Sequence, residues 1–517
     1  MGAGAQAKPA SPNTPTLDYT SAEPPASALG EKQLRKSAVR GGAWAALAQG
    51  CNFLAGFVST IFLARLLTPG DYGLIAMAAA FTGLATLLRD FGIVHAIVQT
   101  PTLSHAQAGA LFWLNAALAL VIGSIIGALA PLMVWFYDEP RLMGVTLALA
   151  GVFVVGGLPG PLRGLLRREL RFRDLALINI ISTLSGISCA IAAAFAGLGY
   201  WALVVLPAAT AVSYTIAVWI ATRFRPTSPL SVFRWRELGL GALFKFGGNL
   251  TAFGLLNYAV RNLDNVLIGR FHGGAALGLY SKSYALLVKP IRQITAPVGN
   301  VAVPTLCRLQ DDAAKWKRFY LRGIGLLVTF SMPIVALLAV AAPDLVPVVL
   351  GTQWSGIVPI FQVLCLAAFV DTFNVATGWV YLSLGNTGRQ FRWQLIESPL
   401  TLGAFAAGVP FGVIGVAWAF VISRVALRLP SLWVCYRGTP MNLLALLGVL
   451  WRPTLTACGA AAAVLVTNTF IDETYLRLAA MPVVFTAVWF ALWLILPGGL
   501  EHLTSTFRLT RELRANR

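Results

Sequence analysis

The amino-acid sequence predicts an all-α polytopic membrane protein with about 14 transmembrane helices. Hydrophobic residues make up 57% of the 517 residues and charged residues only 11%, whereas a soluble domain carries about 25% charged residues. Apolar segments of about 20 residues, long enough to cross a hydrocarbon core as helices, recur from Gly41 onward. Lysine and arginine are concentrated in alternate connections between these segments. The segments are too long to be barrel strands, which need about ten residues.

The helices are predicted from these apolar segments, which short connections separate. The predicted spans are residues 43–64, 73–88, 109–136, 142–162, 175–196, 200–222, 241–268, 277–306, 323–343, 357–384, 393–410, 412–436, 442–469 and 478–498. Residues 1–30 are rich in Pro, Ala, Ser and Gly, a composition with too little apolar surface to fold. We therefore predict a disordered cytoplasmic tail over residues 1–36 and a second cytoplasmic tail over residues 499–517.

The net charge of +19 is distributed unevenly. Of 39 Lys and Arg residues, 27 lie in segments predicted to be cytoplasmic and four in segments predicted on the opposite side, which places both termini in the cytoplasm. Eight basic and three acidic residues remain within the predicted spans, a net charge of +5. Because an ionisable residue at bilayer depth is costly unless it faces a bundle interior or a wet cavity, these are the functional candidates. Most of the positive charge sets orientation, so no nucleic-acid partner is predicted.

The six cysteines occur singly, with neither a Cys-x-x-Cys pair nor a histidine at metal-ligand spacing. We interpret them as small apolar core residues. They are Cys51, Cys189, Cys307, Cys365, Cys435 and Cys458. No metal and no cofactor is predicted. A Na⁺ or H⁺ gradient is the candidate energy source for transport.

An internal repeat predicts two lobes. Arg65 precedes Gly73-Leu74 by eight residues, as Arg270 precedes Gly278-Leu279. Six spans separate the two motifs, and an even number preserves orientation. We therefore predict two six-helix lobes related by a pseudo-two-fold axis along the membrane normal, plus two C-terminal helices. The predicted division is an N-lobe over residues 37–236, a C-lobe over residues 237–440 and the two further helices over residues 441–498.

The same part of the chain resembles a known transporter family. The resemblance is carried by LARLLTPGDYGLIAMAAAFTGLATLLRDFGIVHAIVQ (residues 63–99) and NLDNVLIGRFHGGAALGLYSKSYAL (residues 262–286), with GYWALV (residues 199–204) as a weaker third stretch. These stretches combine polar residues and glycines that hydrophobicity alone does not supply. Over residues 37–440 the chain is similar to the polysaccharide transporter family, the lipid-linked oligosaccharide flippases of the multidrug/oligosaccharidyl-lipid/polysaccharide exporter superfamily.

This resemblance implies a flippase that carries undecaprenyl-pyrophosphate-linked oligosaccharide repeat units across a bacterial inner membrane. Alternating access, ion coupling and a place in exopolysaccharide or O-antigen (lipopolysaccharide) synthesis are implied with it. The implied partners are the lipid-linked oligosaccharide and membrane lipid, with a polysaccharide polymerase and glycosyltransferases as further candidates. The resemblance does not identify the sugar.

A stripe of cations on the eighth span is the main candidate for substrate binding. Lys282, Lys289 and Arg292 follow one another at offsets of 7 and 3 residues, which places them on one face of a helix. Arg binds a diphosphate bidentately and Lys binds it as a point charge, so the stripe predicts a cationic cavity. Alternatively, Lys282 reaches the external interface and the other two belong to an interfacial helix. Arg261 and Lys245 on the seventh span are further candidates, although Lys245 is equally placed to reach the cytoplasmic interface.

Three acidic residues within the spans, Asp264, Asp371 and Glu397, are the candidates for ion coupling. Asp264 follows Arg261 by three residues, the spacing of an intrahelical ion pair. It either offsets the burial of that arginine or alternates between the arginine and a proton or Na⁺. Asp371 and Glu397 are isolated acids, each of which either carries a proton or neutralises a surplus arginine.

The remaining basic residues have structural interpretations. Arg424 and Arg428, which approach the cytoplasmic end of the twelfth span, and Arg452, about two to three turns into the thirteenth, are expected to reach the interface or anionic lipid. Arg65 and Arg270 are expected to tie external loops to carbonyl groups or lipid headgroups.

Three other functions compete with an oligosaccharide flippase. A multidrug/cation antiporter of the same superfamily is disfavoured by the net charge of +5 within the spans, and a peptidoglycan-precursor flippase has similar electrostatic needs. A membrane oligosaccharide polymerase would require a large external loop with acid/base residues, whereas the external connections are short. No catalytic residue and no enzyme activity are therefore predicted.

Overall fold

The computed structural model describes residues 31–89, 97, 104–226 and 241–499. It describes only the backbone of residues 31–39, 86–89, 241–257 and 259–261. Over these ranges the chain folds into helices joined by short turns, with no strand among them. Most of both predicted tails lies outside the described residues, but the first helix begins at Glu31, so residues 31–36 are helical rather than disordered.

The described helices follow the predicted order. They are α1 (Glu31–Leu66), α2 (Pro69–Arg89), α3 (His105–Tyr137), α4 (Leu142–Gly157), α5 (Gly160–Arg168), α6 (Phe172–Phe195), α7 (Trp201–Thr222), α8 (Gly241–Arg308), α9 (Ala313–Leu350), α10 (Ile357–Asp371), α11 (Val375–Ser383), α12 (Thr387–Gly408), α13 (Gly412–Tyr436), α14 (Leu443–Asn468) and α15 (Thr474–Ile495). Gly273 has a φ of 78°, a left-handed value that glycine adopts at little cost, and it divides α8 into α8a (residues 241–272) and α8b (residues 274–308).

The predicted all-α polytopic fold is confirmed. Ten stretches among the described residues are long and apolar enough to cross a membrane. One of them, Thr387–Tyr436, contains both α12 and α13 and so provides two crossings. Together with α2, α8a and α8b, the described residues contain a helical segment at each of the 14 predicted spans.

Helix packing joins the two halves of the chain chiefly through α2 and α8. In the first half α1 packs on α6, α6 on α7 and α3 on α4. In the second half α10 and α12 pack on α13, while α14 joins α9 to α15. Between the halves α2 lies along α8, and one apolar core cluster contains residues of both helices, such as Leu74 and Leu277. The contact between α2 and α8 therefore fixes how the halves meet.

The cysteines only partly follow the sequence interpretation. Cys365 and Cys435 are buried, as expected for small core residues. The core interpretation is wrong for the other four cysteines, which lie on the outer surface of helices. These are Cys51, Cys189, Cys307 and Cys458. Among the described residues, no group of three or more His, Cys, Asp or Glu side chains is placed to hold a metal ion.

Candidate functional site

A cavity of about 690 Å³ lies between α1 and α8b. Its α8b wall carries Lys282, Lys289 and Arg292, the three cations predicted to share a helix face. Lys282 is only 7% exposed, whereas Lys289 and Arg292 are exposed. The stripe therefore runs from a buried end at Lys282 to an open end at Arg292. We call this space the stripe compartment.

The facing wall of the stripe compartment comes from α1. Gln49, Asn52, Gly56 and Thr60 line it, at offsets of three and four residues that place them on one side of the helix. Sequence reasoning did not single out these residues. The signal was available, because polar and small residues at helical spacing in an apolar span indicate a face that avoids lipid.

Two further compartments adjoin the first. The α5 compartment, about 1080 Å³, lies between α1, α5, α6 and α7 and shares Gln49 and Asn52 with the stripe compartment. The linking compartment, about 500 Å³, shares Lys289 with the stripe compartment and Thr210 with the α5 compartment. These shared residues place the three compartments side by side, and we call them together the central cavity. Its described lining contains no acidic residue.

Two cations in the central cavity were missed from the sequence, Arg163 and Arg167 of α5. They follow a break in the fourth span, where α4 ends at Gly157. Because Pro161 has no backbone N–H, it leaves the carbonyl oxygen of Gly157 without its helical donor, and Asn115 Nδ2 donates to that oxygen at 2.7 Å instead. This break starts a separate short helix whose arginines line the α5 compartment. The positive-inside rule had assigned both arginines to a cytoplasmic connection.

At its buried end the stripe meets an aromatic pair. Lys282 Nζ lies 4.0 Å from the centre of the Tyr72 ring and 5.7 Å from that of the Trp354 ring. The two rings meet edge to face with their centres 5.2 Å apart. A buried ammonium is attracted to aromatic faces by up to about 2 kcal/mol, so this arrangement accommodates the charge without an acid. Lys282 thus lines the cavity and does not extend to an interface.

Hydrogen bonds from side chains to backbone carbonyl groups close the cavity next to Lys282. Trp354 Nε1 and Gln353 Nε2 donate to the carbonyl oxygen of Ala64 at 2.7 Å and 2.8 Å. Arg65 donates to the carbonyl oxygens of Val348 and Val349. The expected carbonyl contact of Arg65 is therefore confirmed, while Arg270 lies 6.0 Å over the Phe136 ring. We call the region formed by α1, the start of α2 and residues 348–354 the closed end.

Glycines of the internal repeat allow the closed end to pack tightly. A Cβ atom on Gly73 would overlap the carbonyl oxygen of Gly274, and one on Gly278 would overlap that of Pro69. The two repeated Gly-Leu motifs thus lie against the partner half of the chain rather than in separate loops. Only glycine permits so close an approach of two backbones.

A separate charge network lies among α10 to α13. Arg424 Nη1 lies 3.0 Å from Glu397 Oε1, and its Nε lies 4.0 Å from Asp371 Oδ2. Arg428 pairs with Asp371 and donates to Asn374 Oδ1. The prediction that Arg424 and Arg428 reach the interface is wrong, because both guanidinium groups are held by acids on neighbouring helices. Asp371 and Glu397 each neutralise arginines, one of the two roles considered for them.

Asp264 on α8a is buried and satisfied by neutral donors. The hydroxyl of Tyr280 donates to Oδ2 at 2.9 Å, and the backbone N–H of Asn265 donates to Oδ1 at 2.8 Å. The side chains of Arg261 and Lys245 lie outside the described residues. Asp264 is therefore a buried carboxyl group on α8a, nine residues before the bend that Gly273 introduces into α8.

The fold and the cavity define the class of this protein, a polytopic helical membrane protein with a cavity lined in part by cationic side chains. The chain belongs to the polysaccharide biosynthesis protein family, whose sequence pattern it matches over residues 62–359, more than half of its length. The family resemblance inferred from residues 63–99 and 262–286 is confirmed.

Curated relatives match most of the chain. The lipopolysaccharide biosynthesis protein WzxC of Escherichia coli (strain K12) is 26% identical over 78% of this chain and 81% of its own length. The teichuronic acid biosynthesis protein TuaB of Bacillus subtilis (strain 168) is 26% identical over 82% of this chain and 87% of its own. The succinoglycan biosynthesis transport protein ExoT of Rhizobium meliloti (strain 1021) is 25% identical over 82% and 85%.

Two solved structures share the fold. The lipid II flippase MurJ in an inward closed conformation superposes with a TM-score of 0.70 over 86% of this chain and 97% of that chain, at 11% identity. An inward-facing multidrug resistance MATE family transporter of the MOP superfamily gives 0.57 over 75% and 94%, at 15% identity. Such low identities show a common fold alone.

Proposed function

We propose that this protein is a flippase for undecaprenyl-pyrophosphate-linked oligosaccharide repeat units in exopolysaccharide or O-antigen (lipopolysaccharide) synthesis. One observation carries the proposal: five cationic side chains line the central cavity, and its described lining contains no acid. Such a surface attracts an anionic cargo and rejects an organic cation. The names of the relatives support the same assignment, since each denotes the biosynthesis or transport of a polysaccharide.

The α8b stripe binds the diphosphate in this proposal. Arg292 and Lys289 are exposed and would contact the diphosphate first. Lys282 lies next to the closed end and would contact it later. Charge-assisted hydrogen bonds of this kind are about twice as strong as neutral ones, and a guanidinium adds bidentate geometry. The polyprenyl chain stays in lipid. Arg261 and Lys245 remain proposed members of the same cationic surface.

Alternating access follows from a cavity that is sealed on one side. The closed end would face the periplasm, because the positive-inside pattern places residues 65–72 and 344–356 outside and both termini in the cytoplasm of a bacterial inner membrane. Opening would separate Gly73 from Gly274 and Gly278 from Pro69. The α2 and α8 contact would then be the surface along which the lobes, residues 37–236 and 237–440, rock.

Ion coupling is assigned to Asp264 first. It is buried, accepts hydrogen bonds from neutral donors and lies on α8a nine residues before the Gly273 bend, so a proton or Na⁺ bound there would act on α8 directly. Asp371 and Glu397 are weaker candidates, because Arg424 and Arg428 already neutralise them. No cofactor is required.

The chemistry of the cargo also implies which reactions precede and follow its transport. Glycosyltransferases must assemble the repeat unit on the lipid diphosphate, and a polymerase must consume it after translocation, so both are proposed partners. A peptidoglycan-precursor flippase remains the second candidate function, since MurJ shares the fold and that cargo also carries a lipid diphosphate. Transport itself makes and breaks no covalent bond, so the protein acts as a transporter rather than as an enzyme.

The proposal is tested by transport. The purified protein is reconstituted with a fluorescent undecaprenyl-pyrophosphate glycan, and the rate at which cargo changes leaflet is measured. Removing two charge-assisted contacts in Lys289→Ala/Arg292→Ala should slow flipping by about 100-fold. The matched control is Arg452→Ala, because Arg452 donates to Pro497 and lies outside the cavity lining. Equal rates in wild type and in the double variant would refute the assignment of the stripe.

A further inference from the structure

Lys282 lies where the stripe compartment meets the contact between the two halves of the chain. Its ammonium is 4.0 Å from the centre of the Tyr72 ring, which belongs to α2 in the first half. It is 5.7 Å from the centre of the Trp354 ring, which belongs to the second half, as Lys282 itself does. The contact between Lys282 and Tyr72 therefore joins the halves and exists only while they are together.

The ammonium is held by aromatic faces and not by an acid. Among the described residues, no carboxylate lies within ion-pair distance of Lys282. Asp71, next to Tyr72, is occupied within α2, because its carboxylate accepts from the backbone N–H and the hydroxyl of Thr68 at 2.9 Å and 2.8 Å. A phosphate oxygen offers an ammonium a charge-assisted hydrogen bond, which is stronger than most contacts with a ring face. A diphosphate that reaches Lys282 would therefore displace the rings.

The stripe provides a route by which an anion reaches Lys282. Lys289 lies seven residues further along α8b, about 10 Å at the rise of a helix. Lys282 and Lys289 line both the stripe compartment and the linking compartment, and Tyr72 lines the latter. A diphosphate bound at the exposed Arg292 and Lys289 therefore reaches Lys282 by advancing toward the closed end.

The two rings that hold the ammonium also hold the closed end together. Tyr72 and Trp354 meet edge to face with their centres 5.2 Å apart. Trp354 Nε1 donates to the carbonyl oxygen of Ala64 on α1 at 2.7 Å, which is another contact between the halves. Withdrawal of the ammonium removes a cation–π contact from this group and leaves the ring pair with fewer attractive contacts across the halves.

We infer that Lys282 controls the closed end: the arriving diphosphate draws its ammonium away from Tyr72 and Trp354 and so favours opening. This inference rests on the proposed flippase function and adds to it the signal that opens the cavity. A ligand shifts a conformational equilibrium only if it binds the two states unequally. Here the closed state gives the ammonium of Lys282 to Tyr72, whereas the open state gives it to the diphosphate.

The inference is tested by measuring the distance across the closed end. Spin labels are attached to full-length protein at Leu66→Cys and Ser355→Cys, two exposed positions in the first and second half, after the four surface cysteines are replaced by serine. The distance distribution from electron paramagnetic resonance gives the open population. Saturating undecaprenyl pyrophosphate should raise this population about tenfold, the effect of one buried cation–π contact, whereas uncharged undecaprenol should leave it unchanged.

The ratio of the open populations with and without undecaprenyl pyrophosphate distinguishes Lys282 from its neighbour. In Lys282→Met, which keeps an unbranched chain but loses the charge, the ratio should fall to about one. Lys289→Met is the matched control on the same helix face. It should weaken binding, but at saturating lipid its ratio should stay near that of wild type. Lys282→Arg keeps a cation and should retain a ratio clearly above one.

A second variant tests the other side of the contact. Tyr72→Leu frees the ammonium, so it should raise the affinity for undecaprenyl pyrophosphate at least twofold, and it should have no such effect in a Lys282→Met background. An unchanged ratio in Lys282→Met would overturn the inference, as would wild-type protein that binds undecaprenyl pyrophosphate and stays closed. Both results leave the flippase function intact. Wild-type protein that does not bind undecaprenyl pyrophosphate would instead refute the flippase function, and the inference with it.

Discussion

The cations of the central cavity and those of the α10 to α13 network occupy opposite kinds of surroundings. Lys289 and Arg292 line a cavity whose described lining holds no acid. Arg424 and Arg428 are held by Glu397 and Asp371 on neighbouring helices. In the sequence both sets look alike, as isolated charges within apolar spans. The difference shows that the partner contributed by another helix decides whether such a charge stabilises the fold or remains available to a ligand.

The contrast has an energetic basis. A buried ion pair contributes little net stability, but removal of one partner leaves the other charge buried and uncompensated. A cation in a wet cavity keeps its hydration and needs no protein partner, so it can exchange water for an anionic ligand. We therefore expect substitutions in the network to reduce stability, and substitutions in the cavity to reduce transport while stability is preserved.

The largest effect on stability is expected at Asp371. Asp371→Asn leaves the buried guanidinium of Arg428 without its acid and should lower the free energy of unfolding by about 3–5 kcal/mol. Thermal unfolding in detergent measures the change. Asp371→Leu/Arg428→Met removes both charges and should restore most of the loss. Arg292→Met is the comparison from the cavity and should change stability by less than about 0.5 kcal/mol. Equal destabilisation by both single variants would remove the distinction between the two regions.

A smaller effect is expected at the closed end. Trp354→Leu removes the hydrogen bond to Ala64 and one of the two rings near Lys282, which together contribute about 2 kcal/mol. The population open at this end should rise by about 30-fold. Labelling of a cysteine introduced at Ser281, which lines the linking compartment, by a reagent added on the periplasmic side measures this population. Trp418→Leu replaces an exposed indole and should leave labelling unchanged.

The substitution Asp264→Asn should abolish ion coupling with a modest change in stability. Asparagine keeps the volume and can accept from Tyr280, so we expect a loss of only about 1 kcal/mol. Transport should lose its dependence on the proton or Na⁺ gradient. Transport that still responds to the gradient would return Asp371 and Glu397 to consideration as the coupling residues.

The smallest effect is expected in the connection between α3 and α4. The side-chain hydrogen bond from Arg141 lowers the pKa of Glu139. A carboxyl group whose pKa is lowered by folding stabilises the protein above its unfolded pKa, and this contribution disappears as the pH falls through the folded value. Because Arg141 is largely exposed, Glu139→Gln should cost less than about 0.5 kcal/mol at pH 7 and nothing at low pH. Unfolding temperatures of both proteins from pH 7 to 3 measure the difference.

The sequence was sufficient for the helices and for the stripe. Hydropathy over about 20 residues is a local property, and it located all 14 segments. The spacing of Lys282, Lys289 and Arg292 is also local, because the helical period alone places them on one face. Gly73 and Gly278 were recognised as a repeat, but their contact with the opposite half depends on tertiary packing.

Partners across helices could not be predicted. The acids that hold Arg424 and Arg428 lie at least 27 residues away in the sequence, and their register depends on how α10, α12 and α13 pack. Arg163 and Arg167 were assigned to a cytoplasmic connection because they follow an apolar span. Pro161 signalled the helix break, but the direction in which α5 continues depends on Asn115 of another helix.

In this account Lys289 and Arg292, which line a cavity whose described lining holds no acid, recognise a lipid diphosphate. The most direct test of this claim is the affinity of the purified protein for undecaprenyl pyrophosphate compared with uncharged undecaprenol, in wild type and in Lys289→Ala/Arg292→Ala. We predict that wild type binds the diphosphate at least tenfold more tightly, that salt weakens this binding, and that the double variant loses the preference. Equal affinity of wild type for both lipids, or a preference that survives in the double variant, would contradict the claim.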